Sequence, residues 1–376
     1  MRDSLYLASQ YLRHHRMVTA VLVASITLII YLPAALQVIV NNAEEHFRSR
    51  ADSTPLVVGP RGSSLELVLG SVYFDKPYEG VLRLEQLRRI EEQEPGQAIP
   101  LHARFEARDC QIVGTTENYL RLRNLNTAQG RSWSLLGECV IGARVAEKLG
   151  VQVGDKIPVS TSTAFTLDNP PLRLHVAGVF ATTETADDEA IFVNLETTWI
   201  IEGLGHGHVR GAQHGSPEAK LYTDITKENV ASFHFHGDRD KFPITAIIVT
   251  PASDKAQTIL LGQYFSPDET AQIIRPREVI DRLLERVIMI RSYMIAIIAV
   301  VSLVTLLTMT LVIVLSIRLR RAEIVTMLKM GCSRFTIASI LGSQIAIIVL
   351  ASSAIATALA LLTDAYGSEL VRLLIL

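Results

Sequence analysis

The sequence predicts an α-helical membrane protein with three transmembrane helices and a mixed α/β extracytoplasmic domain. Three observations predict it. There are three uncharged apolar runs, at Met17–Val40, Ser292–Ile317 and Phe335–Thr363; a long polar block with alternating strand and helix signals separates the first two; and basic residues cluster on only two of the flanking segments. A helix crossing the hydrocarbon core needs about 20 apolar residues. Its backbone amides must be satisfied within the segment, which leaves helix as the solution for an open chain. Each run exceeds that length.

Composition agrees. The chain has 376 residues, 49 % of them hydrophobic, with net charge −2 and mean hydropathy +0.28. That is too apolar for a soluble protein and too polar for a carrier of many spans. Near-neutral charge, with no basic block interleaved with aromatics, argues against a nucleic-acid partner.

Orientation follows from the lysines and arginines beside the runs. Arg13, His14, His15 and Arg16 precede the first; Asn41, Glu44 and Glu45 follow it. Arg318, Arg320, Arg321, Lys329 and Arg334 lie between the second and third, against the single acid Glu323. Both basic flanks belong in the cytoplasm. The expected layout is a cytoplasmic amphipathic helix (1–16), a first crossing (17–40), an outer domain (41–285) with stalk helices at both ends and an insertion at about 200–245, a second crossing (288–317), a cytoplasmic loop (318–334), a third crossing (335–363) and an outer C-terminus (364–376). The first run is too long for a secretory h-region, and no small-residue cleavage site follows Pro33. Pro33 is expected to kink a helix that continues to about Ser49.

Element by element, residues 2–15 carry Leu5, Leu12 and two tyrosines at helical spacing, as a helix on the cytoplasmic surface would. PLVVG (55–59) reads as a strand stopped by Gly59, Pro60 and Gly62. LRLEQLRRIEEQ (82–93) has helical periodicity and ends before Pro95. IPLHARFEARDCQIVGT reads as two strands, and ECVIGARVAEKLG as a strand running into a helix capped by Gly150. VGDKIPVST and PLRLHVAGVFAT show period-2 strand patterning; AIFVNLETTWII again runs strand to helix. Residues 200–245 are rich in Gly and His with few apolar anchors before ITAIIVT, and read as a projecting subdomain. Ile280, Leu283, Leu284 and Val287 share one face of a helix expected over 267–294, a stalk entering the second crossing without a break.

The sequence has no G-x-x-x-x-G-K-[ST], H-E-x-x-H or G-x-S-x-G, so no enzymatic activity is expected and the chain does not cradle nucleotide phosphates by itself. The three apolar runs hold no Asp, Glu, Lys, Arg or His, which weighs against a proton-coupled pump. In the cytoplasmic loop, Arg320, Arg321 and Glu323 open a helix on which Ile324, Met327 and Leu328 share a face. Gly331 ends it as a C-cap and Ser333 offers the next N-cap, just before Arg334. Such a helix suits a groove on a cytoplasmic partner; a plain interhelical hairpin is the alternative.

This loop, RRAEIVTMLKMGCSRFTI, resembles the coupling loop of FtsX/MacB-type ABC transporter permeases, with its R-R-x-E-I…L-x-x-x-G-x-S-R pattern. LVVGPRGSSLELVLGSVYF, IVGTTENYLRLRNLNTAQGRSW, ECVIGARVAEKLGVQVGDKIPV and LHVAGVFATTETADDEAIFVNLETTW resemble that family's extracytoplasmic core segments, in order, across about 50–340. The resemblance implies a permease subunit in the bacterial inner membrane, with its large domain in the periplasm. It would form a homodimer, or a heterodimer with another permease. It would recruit a separate cytoplasmic ABC ATPase through Arg320, Arg321, Glu323, Ile324, Met327, Leu328, Gly331, Ser333 and Arg334. ATP and Mg²⁺ would be bound by that partner, with no cofactor in this chain. The stroke would export or extract a lipoprotein, lipid, peptide or hydrophobic small molecule, with membrane lipids and a periplasmic adaptor or substrate protein as further partners. The alternative is a non-transporting regulator that switches a periplasmic hydrolase or sensor kinase. One departure stands out: the family's fourth crossing has no counterpart in YGSELVRLLIL.

Three further groups stand apart. His206, His208 and His214 precede His234, His236, Asp238 and Asp240. Imidazoles suit Zn²⁺ or Cu²⁺, and any site is expected to be weak and centred on His234, His236 and Asp238; because glycines surround the earlier histidines, the cluster is expected to be dispensable. Cys110 and Cys139 sit in strand-like stretches on the oxidising side, as two buried thiols or as a disulfide. Residues 59–64, G-P-R-G-S-S, form a tight turn or an anion cradle at Arg61, and Trp133 and Trp199 are expected in the core.

Overall fold

The computed structural model describes residues 2–93, 96–159, 171–207, 223–266, 269–319, 321–331 and 333–375. The chain folds as two compact units, Met1–Glu45 with Leu283–Leu376, and His46–Arg282. In order, the elements are α1 (Arg2–His14), α2 (Arg16–Asp52), β1 (Leu56–Pro60), α3 (Ser64–Val72), β2 (Leu82–Arg83), α4 (Glu85–Gln93), β3 (Gly96–Ala107), β4 (Cys110–Thr115), α5 (Glu117–Leu122), β5 (Thr127–Gly130), β6 (Glu138–Ile141), α6 (Ala143–Leu149), β7 (Lys156–Pro158), β8 (Leu172–Phe180), β9 (Ala190–Asn194), α7 (Leu195–Ile201), β10 (Gly205–Gly207), β11 (Thr223–Asp224), β12 (Phe233–Phe235), β13 (Pro243–Ile244), β14 (Ala246–Pro251), α8 (Asp254–Gln263), β15 (Ala271–Ile274), α9 (Pro276–Leu319), α10 (Arg321–Lys329) and α11 (Arg334–Ile375).

The outer unit is mixed α/β. Among the described residues, eleven strands form one sheet, whose main path runs β11-β8-β6-β9-β4-β3-β14-β1-β15. One edge of β8 pairs in parallel with β6 and β11, the other antiparallel with β5 and β7. Strands β1, β4 and β9 are almost wholly buried; covered on both faces, they read as continuous apolar runs rather than alternations. Two cores result. One gathers Ile112, Cys139, Ile141, Leu174 and Ile191; the other gathers Leu56, Val58, Trp199, Ile247 and Val249. Trp133 and Trp199 are both buried, as expected.

Local chemistry sets the helix ends. Ser63 Oγ accepts the Glu66 amide at 3.3 Å, the S-x-x-E capping arrangement. Asn194 and Ser253 cap α7 and α8 in the same way, and Gly150 closes α6 in the left-handed region.

Two sequence expectations are corrected, and the choice between two buried thiols and a disulfide falls to the thiols. The helix expected from 267 begins at Pro276, and Ala271–Ile274 is instead a strand antiparallel to β1. Proline is suited to the first helical position and pushes the preceding residue toward extended backbone. The region 200–245 is anchored in its described part: Ile225 is in the first core with Phe233 and Phe235 packed against it, and Phe242 and Ile244 are in the second. Pro217, like His208 and His214, lies outside the described residues. Finally, Cys110 and Cys139 are both free and buried. Strand β9 lies between β4 and β6, so their strands are two spacings of about 4.8 Å apart, beyond the reach of a disulfide.

In the other unit, α2 is helical from Arg16 through Pro33 to Asp52. By length and composition, Arg16–Asp52 and Arg334–Tyr366 can cross a membrane; the apolar stretch described within α9, Ser292–Thr308, is shorter. Helix α11 is unbroken over 42 residues, without the turn a hairpin of two crossings requires. Helix α1 packs against α11, with Ala8 fully buried. Helices α2 and α11 are bonded side by side: Ser352 Oγ donates to the Val23 carbonyl at 3.2 Å, Thr27 Oγ1 donates to the Ser352 carbonyl at 3.4 Å, and the hydroxyls of Tyr31 and Thr363 meet at 2.9 Å. Both numbers rise together along the contact, so the two helices run parallel. Ile348, Ser352 and Ala356, one turn apart, form a buried stripe of α11, in which the small Ser352 and Ala356 let the helices approach closely.

Candidate functional site

Two places in the chain are candidate sites. The first is α10, nine residues between the long helices α9 and α11. Gly331, at φ +93°, takes a backbone that other L residues rarely adopt, and its amide bonds the Leu328 carbonyl at 3.1 Å. Ser333 Oγ accepts the Thr336 amide at 3.1 Å and opens α11 at Arg334. Both caps stand where the sequence places them. Arg320 and Cys332 lie outside the described residues, as do the side chains of Glu323 and Met327. Arg321 is exposed and Ile324 half-buried. The exposed apolar residues are Val325 and Leu328, three apart on one face, with Met330 and Phe335 beside the turn. Val325, Met330 and Phe335 were not among the residues the sequence singled out; a period-3.6 count over so short a helix does not fix its outward face.

The second place was not foreseen. Arg50, near the end of α2, is buried in the outer domain. Its guanidinium forms a fork on the Asp187 carboxylate, with Nη2 2.8 Å from Oδ1 and Nη1 closer still to Oδ2. Nη2 also donates to the Tyr119 hydroxyl at 2.9 Å, and Nε to the Val72 carbonyl at 3.0 Å. The Tyr119 hydroxyl donates to Asp187 Oδ1 at 2.6 Å. Asp187 lies in the short 3₁₀ turn Ala186–Glu189 that feeds β9. Burial alone would raise the Asp187 pKa, but the Arg50 charge and bonds hold it below the usual carboxylate range. Burial pushes the Tyr119 hydroxyl up, beyond any titration near neutrality. Beside the fork, Arg123 donates to Ser53 Oγ at 2.6 Å and Thr54 Oγ1 at 2.5 Å, directly after α2. Phe74, Phe192 and Tyr119 pack as an aromatic floor, with centroids 5.5–6.3 Å apart.

A surface brace completes the junction. Arg48 reaches Asp281 at 3.1 Å, and Arg277 reaches Asp52 at 2.5 Å. Exposed pairs of this kind contribute little energy each, but they tie the end of α2 to the start of α9. The last turn of α2 is therefore fastened both to the sheet, through Asp187, and to the neighbouring stalk. A residue 137 positions from its partner leaves no spacing for sequence reading to find.

The other candidates resolve as follows. His234 of β12 and His236 just beyond it do come together, but His206 of β10 joins them and Asp238 does not; the Asp238 carboxylate caps the Asp240 amide at 3.1 Å. At residues 59–64, Arg61 bonds the Ser266 carbonyl through its side chain and the Thr270 carbonyl through its amide, so this is a turn tied to its neighbours.

The family model of the MacB-like periplasmic core domain matches residues 19–231. The fold is similar to the periplasmic region of MacB from Actinobacillus actinomycetemcomitans, at 12 % identity and TM-score 0.36, over 64 % of this chain and 97 % of that one. It is also similar to the extracellular domain of the noncanonic ABC-type transporter YknZ from Gram-positive bacteria, at 12 % identity and TM-score 0.33, over 58 % and 98 %. No curated protein matches the sequence.

Proposed function

The chain belongs to the family of the MacB-like periplasmic core domain, and we propose that it is the permease subunit of an ABC-type mechanotransmission machine of the bacterial inner membrane. A separate cytoplasmic ATPase binds ATP and Mg²⁺ and docks on α10. Its stroke travels along the stalk helices to the outer domain, where the Arg50–Asp187 fork receives it. The substrate is a lipoprotein, lipid, peptide or hydrophobic small molecule taken up outside the membrane, and the working form is a dimer of permeases.

The observation that carries this reading is α10. A capped nine-residue helix between two long helices exposes Val325 and Leu328. Exposed apolar groups set side by side mark an interaction surface, and burying each such side chain contributes about 1.5–3 kcal/mol. The parallel pairing of α2 and α11 supports a first and third crossing in the same direction. The absence of ionisable residues from the apolar runs favours a stroke over a polar path between the helices.

The test is vanadate-sensitive ATP hydrolysis by the ATPase that co-purifies with the full chain from its native membranes. Leu328→Asp and Glu323→Arg should each remove at least ~10-fold of the chain-dependent hydrolysis, with tryptophan fluorescence of the outer domain unchanged. Wild-type recruitment and hydrolysis in both variants overturns the docking role of α10.

A further inference from the structure

We propose that His206, His234 and His236 form a binding site for a transition-metal dication of the zinc or copper class, on the outer face of the β10–β12 ribbon. The register builds it. Gly205-His206-Gly207 pairs antiparallel with Phe235-His234-Phe233, so that Gly205 faces Phe235, His206 faces His234 and Gly207 faces Phe233. Side chains alternate across a strand, which sorts the ribbon into two faces. On one, Phe233 and Phe235 pack toward the core. A Cβ at Gly205 would stand 2.6 Å from the Phe235 ring, and one at Gly207 2.6 Å from the Phe233 ring. The glycines are there because the rings cover them, not to loosen the segment.

The opposite face carries the histidines. His206 and His234 are directly opposed, and His236 is the next residue on that face of the chain; its amide bonds the Leu204 carbonyl at 3.3 Å, prolonging the ladder. The three ring centroids are 4.6–4.9 Å apart, and one ligand nitrogen from each lies within 4.8 Å of the others. Nitrogens around tetrahedral zinc, at Zn–N of about 2.0–2.1 Å, stand about 3.3 Å apart. Rotation of the exposed His206 and His236 rings toward the half-buried His234 covers that remaining difference without moving a strand.

His234 also has the support a ligand needs. Its Nδ1 lies 3.1 Å from the Ser232 carbonyl, which only accepts, so Nδ1 carries the proton and Nε2 the lone pair. A carbonyl or carboxylate holding the other ring nitrogen is the usual way a metal-binding histidine is oriented. Three neutral imidazoles suit zinc and copper and leave a fourth position for water or a donor from elsewhere. The carboxylate of Asp238 is engaged with the Asp240 amide and is not part of the set.

The test uses the full chain in detergent, carrying an affinity tag without histidine and stripped with chelator. Zn²⁺ is titrated against a chromophoric competitor, and Cu²⁺ is followed by electron paramagnetic resonance. One equivalent of Zn²⁺ should bind with Kd below about 1 µM, and the Cu²⁺ spectrum should show imidazole nitrogen coupling. His206→Gln and His234→Gln/His236→Gln should each weaken Zn²⁺ binding at least ~10-fold and reduce that coupling, while His208→Gln/His214→Gln leaves both as in wild type. Tryptophan fluorescence melts establish that each variant is folded, and His206→Gln, which leaves the phenylalanine face intact, serves where the double variant is not. No binding below about 10 µM, retention of binding in folded His206→Gln and His234→Gln/His236→Gln, or loss only in His208→Gln/His214→Gln overturns the site.

Discussion

Removing Arg50 should unfold the outer domain more readily than any surface change. In Arg50→Met, Asp187 keeps only the Tyr119 hydroxyl at 2.6 Å and the Thr185 hydroxyl at 3.1 Å, and its charge stays buried without its cation. Breaking one side of a buried pair in this way costs about 3–5 kcal/mol. For a domain of this size, each kcal/mol moves the melting temperature by about 2–4 °C, so a fall of about 6–20 °C is expected. Both tryptophans, Trp133 and Trp199, are buried in this domain, so intrinsic fluorescence of the full chain in detergent reads it without interference from the apolar helices. In Arg50→Met/Asp187→Leu neither charge of the pair remains, and most of the loss should return, because well-packed apolar groups replace buried ion pairs at little cost. A coupling energy above about 2 kcal/mol is the expected result of the cycle. Losses that simply add, or a single-variant loss below about 1 kcal/mol, refute the account. The refolded double variant should nevertheless transmit poorly from the ATPase, since the fork that fastens α2 to the turn before β9 is gone.

Acid should expose the same pair. The folded pKa of Asp187 is depressed by Arg50, although burial opposes this, and that of Glu138 is lowered to about 2, chiefly by Arg131, again against burial. Depressed carboxylates stabilise above their unfolded pKa near 4 and lose that contribution as pH falls through the folded value; stability should be flat above about pH 5 and decline toward pH 2, as denaturant titration will read. Cys139, whose thiol burial pushes well up, should resist alkylation in the native chain, and reducing agent should leave the melting curve unchanged. Gly207→Val should cost about 1–3 kcal/mol by forcing a side chain into the Phe233 ring. Ser368→Cys, in a Cys332→Ser background, should react with an impermeant thiol reagent in intact cells; protection would refute an outward C-terminus.

Most of the outer domain was legible because its strands obey local rules. PLVVG, CQIVGT and AIFVN are apolar runs bounded by turn residues, and each is a strand within a residue or two. The caps at Gly150, Gly331 and Ser333 were legible for the same reason: a cap is a local event with a fixed residue type. The errors were long-range. AQII looks like the opening of a helix until β1 is there to pair with it. The phenylalanines of 233–242 look like isolated residues in a polar loop until the two cores receive them.

The two sites divide along the same line. Helix α10 could be found from one window of sequence. The Arg50 fork could not, because Arg50, Tyr119 and Asp187 meet only when the end of α2, helix α5 and the turn before β9 are brought together. That separation bears on function. On the proposed function, a motor docked on α10 would do work on the outer domain only if the ends of the stalk helices are held there. Arg50 holds one of them by four hydrogen bonds to three partners, whereas the exposed pairs of Arg48 and Arg277 would each yield readily. On the proposed function, load on the last turn of α2 would enter the sheet through Asp187, in the turn before β9, the strand that lies between β4 and β6.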